Sequence, residues 1–147
     1  RYIRRQRQMC IRDRFTPLYK NSKNIKIVQD AMFASTNEVR GTSYRSRIDD
    51  PKYQFAGKTG TAQVKKITER DRELDLKTFQ IPYEERDHAL YIAYGPFKNP
   101  RYAVSILVEH GGNGSTTAAP MAKKLFKTII DRHQLRESIN NKKYLDI

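Results

Sequence analysis

Apolar residues recur every three or four positions in two segments of this sequence, a spacing typical of helices that pack one face against a core. In the segment 25–37 these residues are Ile25, Val28, Met32 and Phe33. In the segment 118–130 they are Ala118, Met121, Ala122, Leu125, Phe126, Ile129 and Ile130. We predict a helix over each segment, the first ending before Gly41 and the second starting among Ser115, Thr116 and Thr117. Because the chain becomes polar beyond His133, the second helix is expected to fray there.

Three other segments have the composition of β-strands. Residues 88–97 and 102–109 are nearly continuous apolar runs joined by the short turn 98–101, which predicts a buried antiparallel hairpin. The segment 53–64, YQFAGKTGTAQV, is rich in small, aromatic and β-branched residues, and its glycines indicate that another group approaches the backbone closely. The charged segment 65–87 is expected to form a long polar connection on the surface.

The length of 147 residues and the hydrophobic content of 37% fit one compact domain or part of one. The net charge of +13 is typical of proteins that bind nucleic acid, anionic lipid or an acidic polymer. However, residues 1–14 contain six arginines and one aspartate, so this leader contributes much of the charge. The leader has no helical stripe, no turn residues and no apolar core of a signal peptide, and we interpret it as non-native or disordered. The alternative interpretation is an arginine-rich arm for nucleic acid or membrane.

Residues 15–134 are expected to hold the folded part of the chain, and residues 135–147 a polar tail. Cys10 is the only cysteine, so the sequence allows no internal disulfide. No stretch reaches the roughly 18 apolar residues of a membrane-spanning helix. If the protein is normally anchored in a membrane, the anchor is expected outside this sequence.

Between about Ile25 and His133, four strings occur in the order in which one protein family has them. They are GTS after the first helix, AGKTGTAQV, HALYIAYGPFKNPRYAVSILVEHGG and TTAAPMAKKLF. A lone KTG arises easily by chance, but KTG within these strings is specific. In these residues the chain resembles the C-terminal part of the transpeptidase domain of class B penicillin-binding proteins, in particular the elongation-specific peptidoglycan transpeptidases. The resemblance implies a partial serine β-lactamase/transpeptidase-like fold of the α/β (α+β) class, with three strands of an antiparallel sheet packed against helices.

The active site of this family combines three motifs, namely SxxK with the nucleophilic serine, SxN, and KTG at the edge of the sheet. Only KTG is recognised here, since no serine in the sequence is followed three positions later by lysine. The resemblance therefore implies that the acylated serine and its lysine lie upstream of Arg1. Ser35-Thr36-Asn37 spells SxN literally, but it falls at the end of the first predicted helix, whereas the SxN of the family lies far earlier. We therefore exclude Ser35 and Asn37 from the site.

By resemblance, the substrate-binding residues are Lys58, Thr59, Gly60 and Thr61. The substrate is a peptide with a free carboxylate, so Lys58 can supply positive charge, and the hydroxyls of Thr59 and Thr61 can donate hydrogen bonds to it. Gly60 leaves room for a peptide or a β-lactam to lie along the strand edge. The backbone N–H of Thr61 is implied to form half of the oxyanion hole, which makes Thr61 the catalytic contribution of this segment.

The resemblance also implies a function, a location and partners. The intact parent protein is expected to be a serine-type D,D-transpeptidase that binds penicillin and crosslinks peptidoglycan through an acyl-serine. Its expected location is the bacterial periplasm, with an anchor in the inner membrane. Its expected partners are peptidoglycan stem peptides, β-lactams and membrane proteins of the elongation complex. No cofactor, metal or nucleic acid is expected, and the fragment alone is expected to be inactive without the nucleophile.

Two other functions are open at this point. A serine β-lactamase of the same fold also uses KTG, and it would hydrolyse penicillin rapidly rather than slowly. A small basic nucleic-acid-binding protein would account for the net charge, and its affinity would fall steeply with salt.

Several other conspicuous residues have a structural interpretation. They are Gly57, His88, Tyr91, Tyr94 and His110. We interpret the tyrosines as packing residues and the histidines as polar strand ends rather than bases. Arg45 and Arg47 precede the KTG strand and are candidates for lining the cleft.

Overall fold

The computed structural model describes residues 20–66, 69 and 76–145, with side chains up to residue 139. The leader 1–14 lies outside the described residues, as does the very end of the tail 135–147. The main elements are α1 (Ser22–Asn37), β1 (Ala56–Ala62), β2 (His88–Gly95), β3 (Tyr102–Val108) and α2 (Ala118–Leu145). Short 3-10 turns occur at Tyr44–Ser46, Thr78–Gln80 and Tyr83–Glu85. Within the described residues, no helix is both long and apolar enough to span a membrane.

The three strands form one antiparallel sheet in the order β1-β2-β3. This arrangement confirms the predicted pairing of the two apolar runs. The hairpin closes where the Arg101 N–H donates to the Gly95 carbonyl at 3.1 Å. Because β2 is central, the KTG-bearing β1 lies at an edge of the sheet, with Lys58 paired to Ile92 and Gly60 paired to Leu90.

The core lies between one face of the sheet and helix α2. Ala89, Tyr91 and Ala93 alternate along β2 toward this face, and all three are buried. Phe126 of α2 stacks on Phe55, which precedes β1, with ring centroids 4.9 Å apart. The buried part of the predicted stripe is therefore Ala118, Ala122, Phe126 and Ile130, whereas Met121 and Leu125 are exposed, at 44% and 41%.

The opposite face of the sheet is open in the described part of the chain. Ile92 is 53% exposed and Leu107 is 58% exposed. The prediction of a buried hairpin is therefore wrong for this face. Side chains of a strand alternate between two faces, and a nearly continuous apolar run does not reveal which face is covered.

Helix α2 continues beyond His133 to Leu145, so the predicted fraying was wrong. The continuation contains neither Gly nor Pro and is rich in residues with high helix propensity. The Glu137 side chain stabilises this part of the helix, because its carboxylate accepts hydrogen bonds from His133 at 2.8 Å and from Arg101 at 3.1 Å. These contacts, the one from His133 first, hold the pKa of Glu137 below its usual value.

A buried group of hydroxyls, here called the hydroxyl node, joins α1 to β1. The Tyr91 hydroxyl lies 2.9 Å from Thr36 Oγ1 and 3.1 Å from Ser43 Oγ. Thr36 Oγ1 accepts the Gly57 N–H at 3.0 Å, and Ser43 Oγ donates to the Ser35 carbonyl at 3.0 Å. All these contacts are satisfied together when Thr36 donates to Tyr91 and Tyr91 donates to Ser43. Burial raises the pKa of the Tyr91 phenol, so the hydroxyl keeps its proton.

Replacing Tyr91 by Phe in the full-length protein is expected to lower the free energy of unfolding by about 1–3 kcal/mol, because buried hydroxyls lose their partner. The measurement is denaturant unfolding followed by circular dichroism. Tyr83→Phe is the matched control, since the Tyr83 side chain is 57% exposed. Equal stability of the two variants would contradict a structural role for the hydroxyl node.

A polypeptide limited to residues 15–147 is expected to be poorly soluble or partly unfolded. The reason is the amount of apolar surface that the described residues leave uncovered, including the open sheet face and Phe79, which is 77% exposed. The checks are thermal melting and a two-dimensional NMR spectrum. A cooperative melt together with well-dispersed resonances would show this expectation to be wrong.

Candidate functional site

Strand β1 offers one free edge to a ligand. Backbone groups of an antiparallel strand point alternately toward the neighbouring strand and away from it. The Gly57 N–H points away from β2, since it donates to Thr36 in α1. By this alternation, the N–H and C=O groups of Thr59 and Thr61 point to the free edge, where no strand of the described residues pairs with them. An extended ligand can therefore hydrogen-bond to this edge.

The Lys58 ammonium lies beside the same edge. The Lys58 side chain is exposed, and Nζ donates to the Thr59 carbonyl at 2.8 Å. Its distance to Thr59 Oγ1 is 3.5 Å. The positive charge and the first threonine hydroxyl of the motif thus lie next to one another, as the recognition of a carboxylate requires.

A short series of hydroxyls, here called the hydroxyl chain, ends at Thr59. Ser35 Oγ lies 3.1 Å from Thr42 Oγ1, which lies 3.3 Å from Thr59 Oγ1. Sequence reasoning did not single out Thr42, although the GTS string that contains it was noticed. It also excluded Ser35, whose hydroxyl lies two contacts away from the motif. Neither position could be found from spacing, because residues 35, 42 and 59 meet only through the packing of α1 against β1.

The two glycines around Lys58 have different structural requirements. A Cβ atom on Gly57 would lie 2.4 Å from the Tyr91 hydroxyl, a distance at which the ring must move. A Cβ atom on Gly60 would meet only Leu90 Cβ, at 3.3 Å. The fold therefore requires glycine at position 57, which agrees with the structural interpretation, and requires it far less at position 60. The space above Gly60 is open to a ligand.

Thr61 lies one step further along the edge and is exposed. It shares a face of the strand with Thr59, because side chains two residues apart point the same way. The edge therefore presents an ammonium, two threonine hydroxyls and outward backbone groups within four consecutive residues.

Asn37 lies outside this cluster. Its amide donates to the Phe33 carbonyl at 3.1 Å and to the Phe55 carbonyl at 2.9 Å, so it fastens the end of α1 to the segment before β1. Asn37, the last residue of the literal SxN string, therefore has a structural role at the end of α1. No group of three or more potential metal ligands comes together among the residues that the structure describes.

His88 and His110 contact each other at the end of the hairpin. The His110 N–H donates to His88 Nδ1 at 2.9 Å, and the ring centroids are 4.9 Å apart. Both histidines thus serve as polar strand ends, as predicted. Tyr94 packs beside Phe97 and donates its hydroxyl to the Gln29 carbonyl at 3.4 Å.

The two arginines before β1 have different surroundings. Arg47 donates to Asp49 at 2.9 Å and stacks over the Tyr44 ring at 4.0 Å, so its guanidinium is held by local contacts. Arg45 is exposed in the 3-10 turn. A role for either in lining a cleft stays a prediction.

Comparison with known proteins gives one consistent family. Residues 19–130 match the family described as penicillin binding protein transpeptidase domain. Peptidoglycan D,D-transpeptidase MrdA of Salmonella typhimurium is 35% identical over 105 residues, and that of Haemophilus influenzae is 38% identical over 101 residues. These stretches cover 71% and 69% of this chain. The chain spans only 16% and 15% of the length of these relatives.

Solved structures agree with the sequence relatives. The chain is similar to penicillin-binding protein PBP2 of Helicobacter pylori in its complex with MreC, with a TM-score of 0.58 and 32% identity. It is also similar to Pseudomonas aeruginosa PBP2, with a TM-score of 0.57 and 31% identity. Each match covers 76% of this chain, but only 18% and 20% of the other chain.

The fold of the described residues, with an antiparallel sheet and two helices, is a part of the transpeptidase fold of these proteins. The matches carry the KTG edge strand with its surrounding elements rather than an isolated tripeptide, since they extend over most of the described chain. This chain therefore belongs to the penicillin-binding protein transpeptidase family.

Proposed function

We propose that this chain supplies the substrate-binding edge strand of a peptidoglycan D,D-transpeptidase. The observation that carries the proposal is the alignment of the Lys58 ammonium, the Thr59 hydroxyl and the outward backbone groups along one free strand edge. The relatives named peptidoglycan D,D-transpeptidase support the same activity. The full-length protein contributes the nucleophilic serine and its lysine from a part outside these 147 residues.

Lys58 and the threonine hydroxyls bind the terminal carboxylate of the stem peptide. A lysine ammonium attracts any anion, so charge alone gives little selectivity. The hydroxyls add direction, because a carboxylate oxygen accepts hydrogen bonds best along its lone pairs. Hydrogen bonds to charged groups contribute about 1.5–3 kcal/mol each, which is enough to select a peptide with a free carboxyl end.

The free edge holds the rest of the peptide. An extended stem peptide or a β-lactam pairs with the outward N–H and C=O groups as an additional strand. The Thr61 N–H then donates to the carbonyl oxygen that becomes negatively charged during attack. Removal of one such donor typically costs about 100- to 1000-fold in rate.

The reaction is an acyl transfer in two steps. The serine hydroxyl adds to an amide carbonyl of the stem, an ester forms, and the terminal residue leaves as a free amine after receiving a proton. The amine of a second stem attacks this ester and regenerates the serine. With a β-lactam, the cleaved amide nitrogen stays attached through the opened ring, so the enzyme remains covalently labelled.

The proposal includes a location and a partner for the full-length protein. It works in the bacterial periplasm and is anchored in the inner membrane. Its partners are membrane proteins of the elongation complex, since the Helicobacter pylori relative forms a complex with MreC. Its ligands are peptidoglycan stem peptides and β-lactams.

Replacing Lys58 by Ala in the full-length protein is expected to slow covalent labelling by a fluorescent penicillin about 10- to 100-fold, because a charge-assisted contact to the carboxylate is lost. The measurement is the second-order rate of labelling, read from gels. Lys98→Ala is the matched control, since Lys98 is exposed in the turn between β2 and β3.

Absence of covalent labelling in the unmodified full-length protein would contradict the proposed function. Equal labelling of the Lys58→Ala and Lys98→Ala variants would contradict the role of Lys58. Rapid loss of the label by hydrolysis would instead identify a serine β-lactamase.

Replacing Gly57 or Gly60 by alanine is expected to affect different properties, namely the stability of the fold and the binding of the ligand. Gly57→Ala should lower the melting temperature of the full-length protein, because the new methyl group collides with the Tyr91 ring. Gly60→Ala should leave the melting temperature nearly unchanged and slow penicillin labelling about tenfold or more, since the ligand is displaced from the edge. Normal labelling by a stable Gly60→Ala variant would show that the ligand does not approach this residue.

A further inference from the structure

We propose that Thr42 is a positioning residue that directs the hydroxyl hydrogen of Thr59 toward the bound carboxylate. The inference rests on the proposed function and adds a residue outside the KTG motif to the same site. It is carried by the hydroxyl chain, in which Thr42 Oγ1 lies 3.3 Å from Thr59 Oγ1 and 3.1 Å from Ser35 Oγ.

The number of hydrogens decides the direction of donation. A threonine hydroxyl has one hydrogen and two lone pairs. Lys58 Nζ, 3.5 Å from Thr59 Oγ1, can only donate. A carboxylate can only accept. Thr59 can therefore bind the carboxylate through its hydroxyl only if its hydrogen is not spent on Thr42.

Thr42 removes this competition when it donates to Thr59 and accepts from Ser35. The series then runs from Ser35 through Thr42 and Thr59 to the carboxylate, with every hydroxyl donating in one direction. Each hydroxyl that donates becomes a better acceptor, and each that accepts becomes a better donor, so the contacts strengthen one another. The hydrogen of Thr59 is oriented before the ligand arrives.

The backbone around Thr42 is held in place for this role. On one side, the Gly41 N–H donates to the Glu38 carbonyl at 2.8 Å. On the other side, the Ser43 N–H and hydroxyl both donate to the Ser35 carbonyl at 3.0 Å, and Ser43 is buried in the hydroxyl node. A side chain on such a fixed segment loses little entropy when it forms its contact.

The test compares two probes in the full-length protein, benzylpenicillin and its methyl ester. Thr42→Val removes the hydroxyl and keeps the shape of the side chain. It is expected to slow acylation by benzylpenicillin about 3- to 10-fold, the typical effect of one hydrogen bond. Acylation by the methyl ester should be slowed less, because its ester carbonyl is neutral and accepts a weaker hydrogen bond than a carboxylate. Thr42→Ser should restore the rate with benzylpenicillin.

The second part of the test is the double variant. If Thr42 acts through Thr59, the Thr42→Val change should have no further effect in a Thr59→Val background. Thr128→Val is the matched control for loss of an exposed threonine hydroxyl, since Thr128 Oγ1 bonds only its own helix at the Lys124 carbonyl. Melting temperatures are measured for every variant.

Three results would overturn the inference while leaving the proposed function intact. They are an unchanged rate in Thr42→Val, an equal loss with both probes, and additive losses in the double variant. If Thr42→Val does not fold, Ser35→Ala carries the test, and a selective loss with benzylpenicillin of about 2-fold or more is expected. Failure of the unmodified protein to react with benzylpenicillin would overturn the proposed function and this inference together.

Discussion

The Tyr91 hydroxyl is the contact on which the geometry of this molecule depends. It reaches beneath Gly57 to Thr36 and Ser43, and so connects the central strand, the first helix and the turn that follows this helix. A buried hydroxyl without hydrogen-bond partners costs free energy. Because the hydroxyls lie on different elements, all of them find partners only when these elements adopt one relative position. The same hydrogen bonds fix the position of the edge strand β1, since the Gly57 N–H donates to Thr36 in the hydroxyl node.

The exposed site is built on this buried group by neighbouring residues. Ser43 points inward to Tyr91, and Thr42, one residue earlier, points outward to Thr59. Adjacent residues of a single turn therefore make two kinds of contact, one in the core and one at the exposed edge of β1. A solvent-exposed hydroxyl is usually mobile, but here its backbone is fixed by contacts that water does not reach.

Much of the fold could be predicted from local pattern. The helical segments, the hairpin and the KTG strand follow from spacing and composition, although Ile25 and Val28 of the predicted α1 stripe are exposed. Which face of β2 is covered could not be predicted, because it depends on where Phe126 of α2 packs. The length of α2 could not be predicted either, because it is supported by contacts such as that between Glu137 and Arg101. The site divides in the same way. Lys58 belongs to a contiguous motif, whereas Thr42 joins it only through tertiary packing.

The fixed turn also has a consequence for the lengths of the connecting segments. Residues 38–55 are held at both ends, by the Ser35 carbonyl before them and by Asn37 and Thr36 at the entrance of β1. The described parts of segment 65–87 are largely exposed and contact the strands mainly near their ends, as where Asp87 accepts the Val64 N–H. We therefore expect changes of length to be tolerated better in the described, exposed parts of the segment after KTG than in the segment before it, which must keep its length for the strand to stay in register.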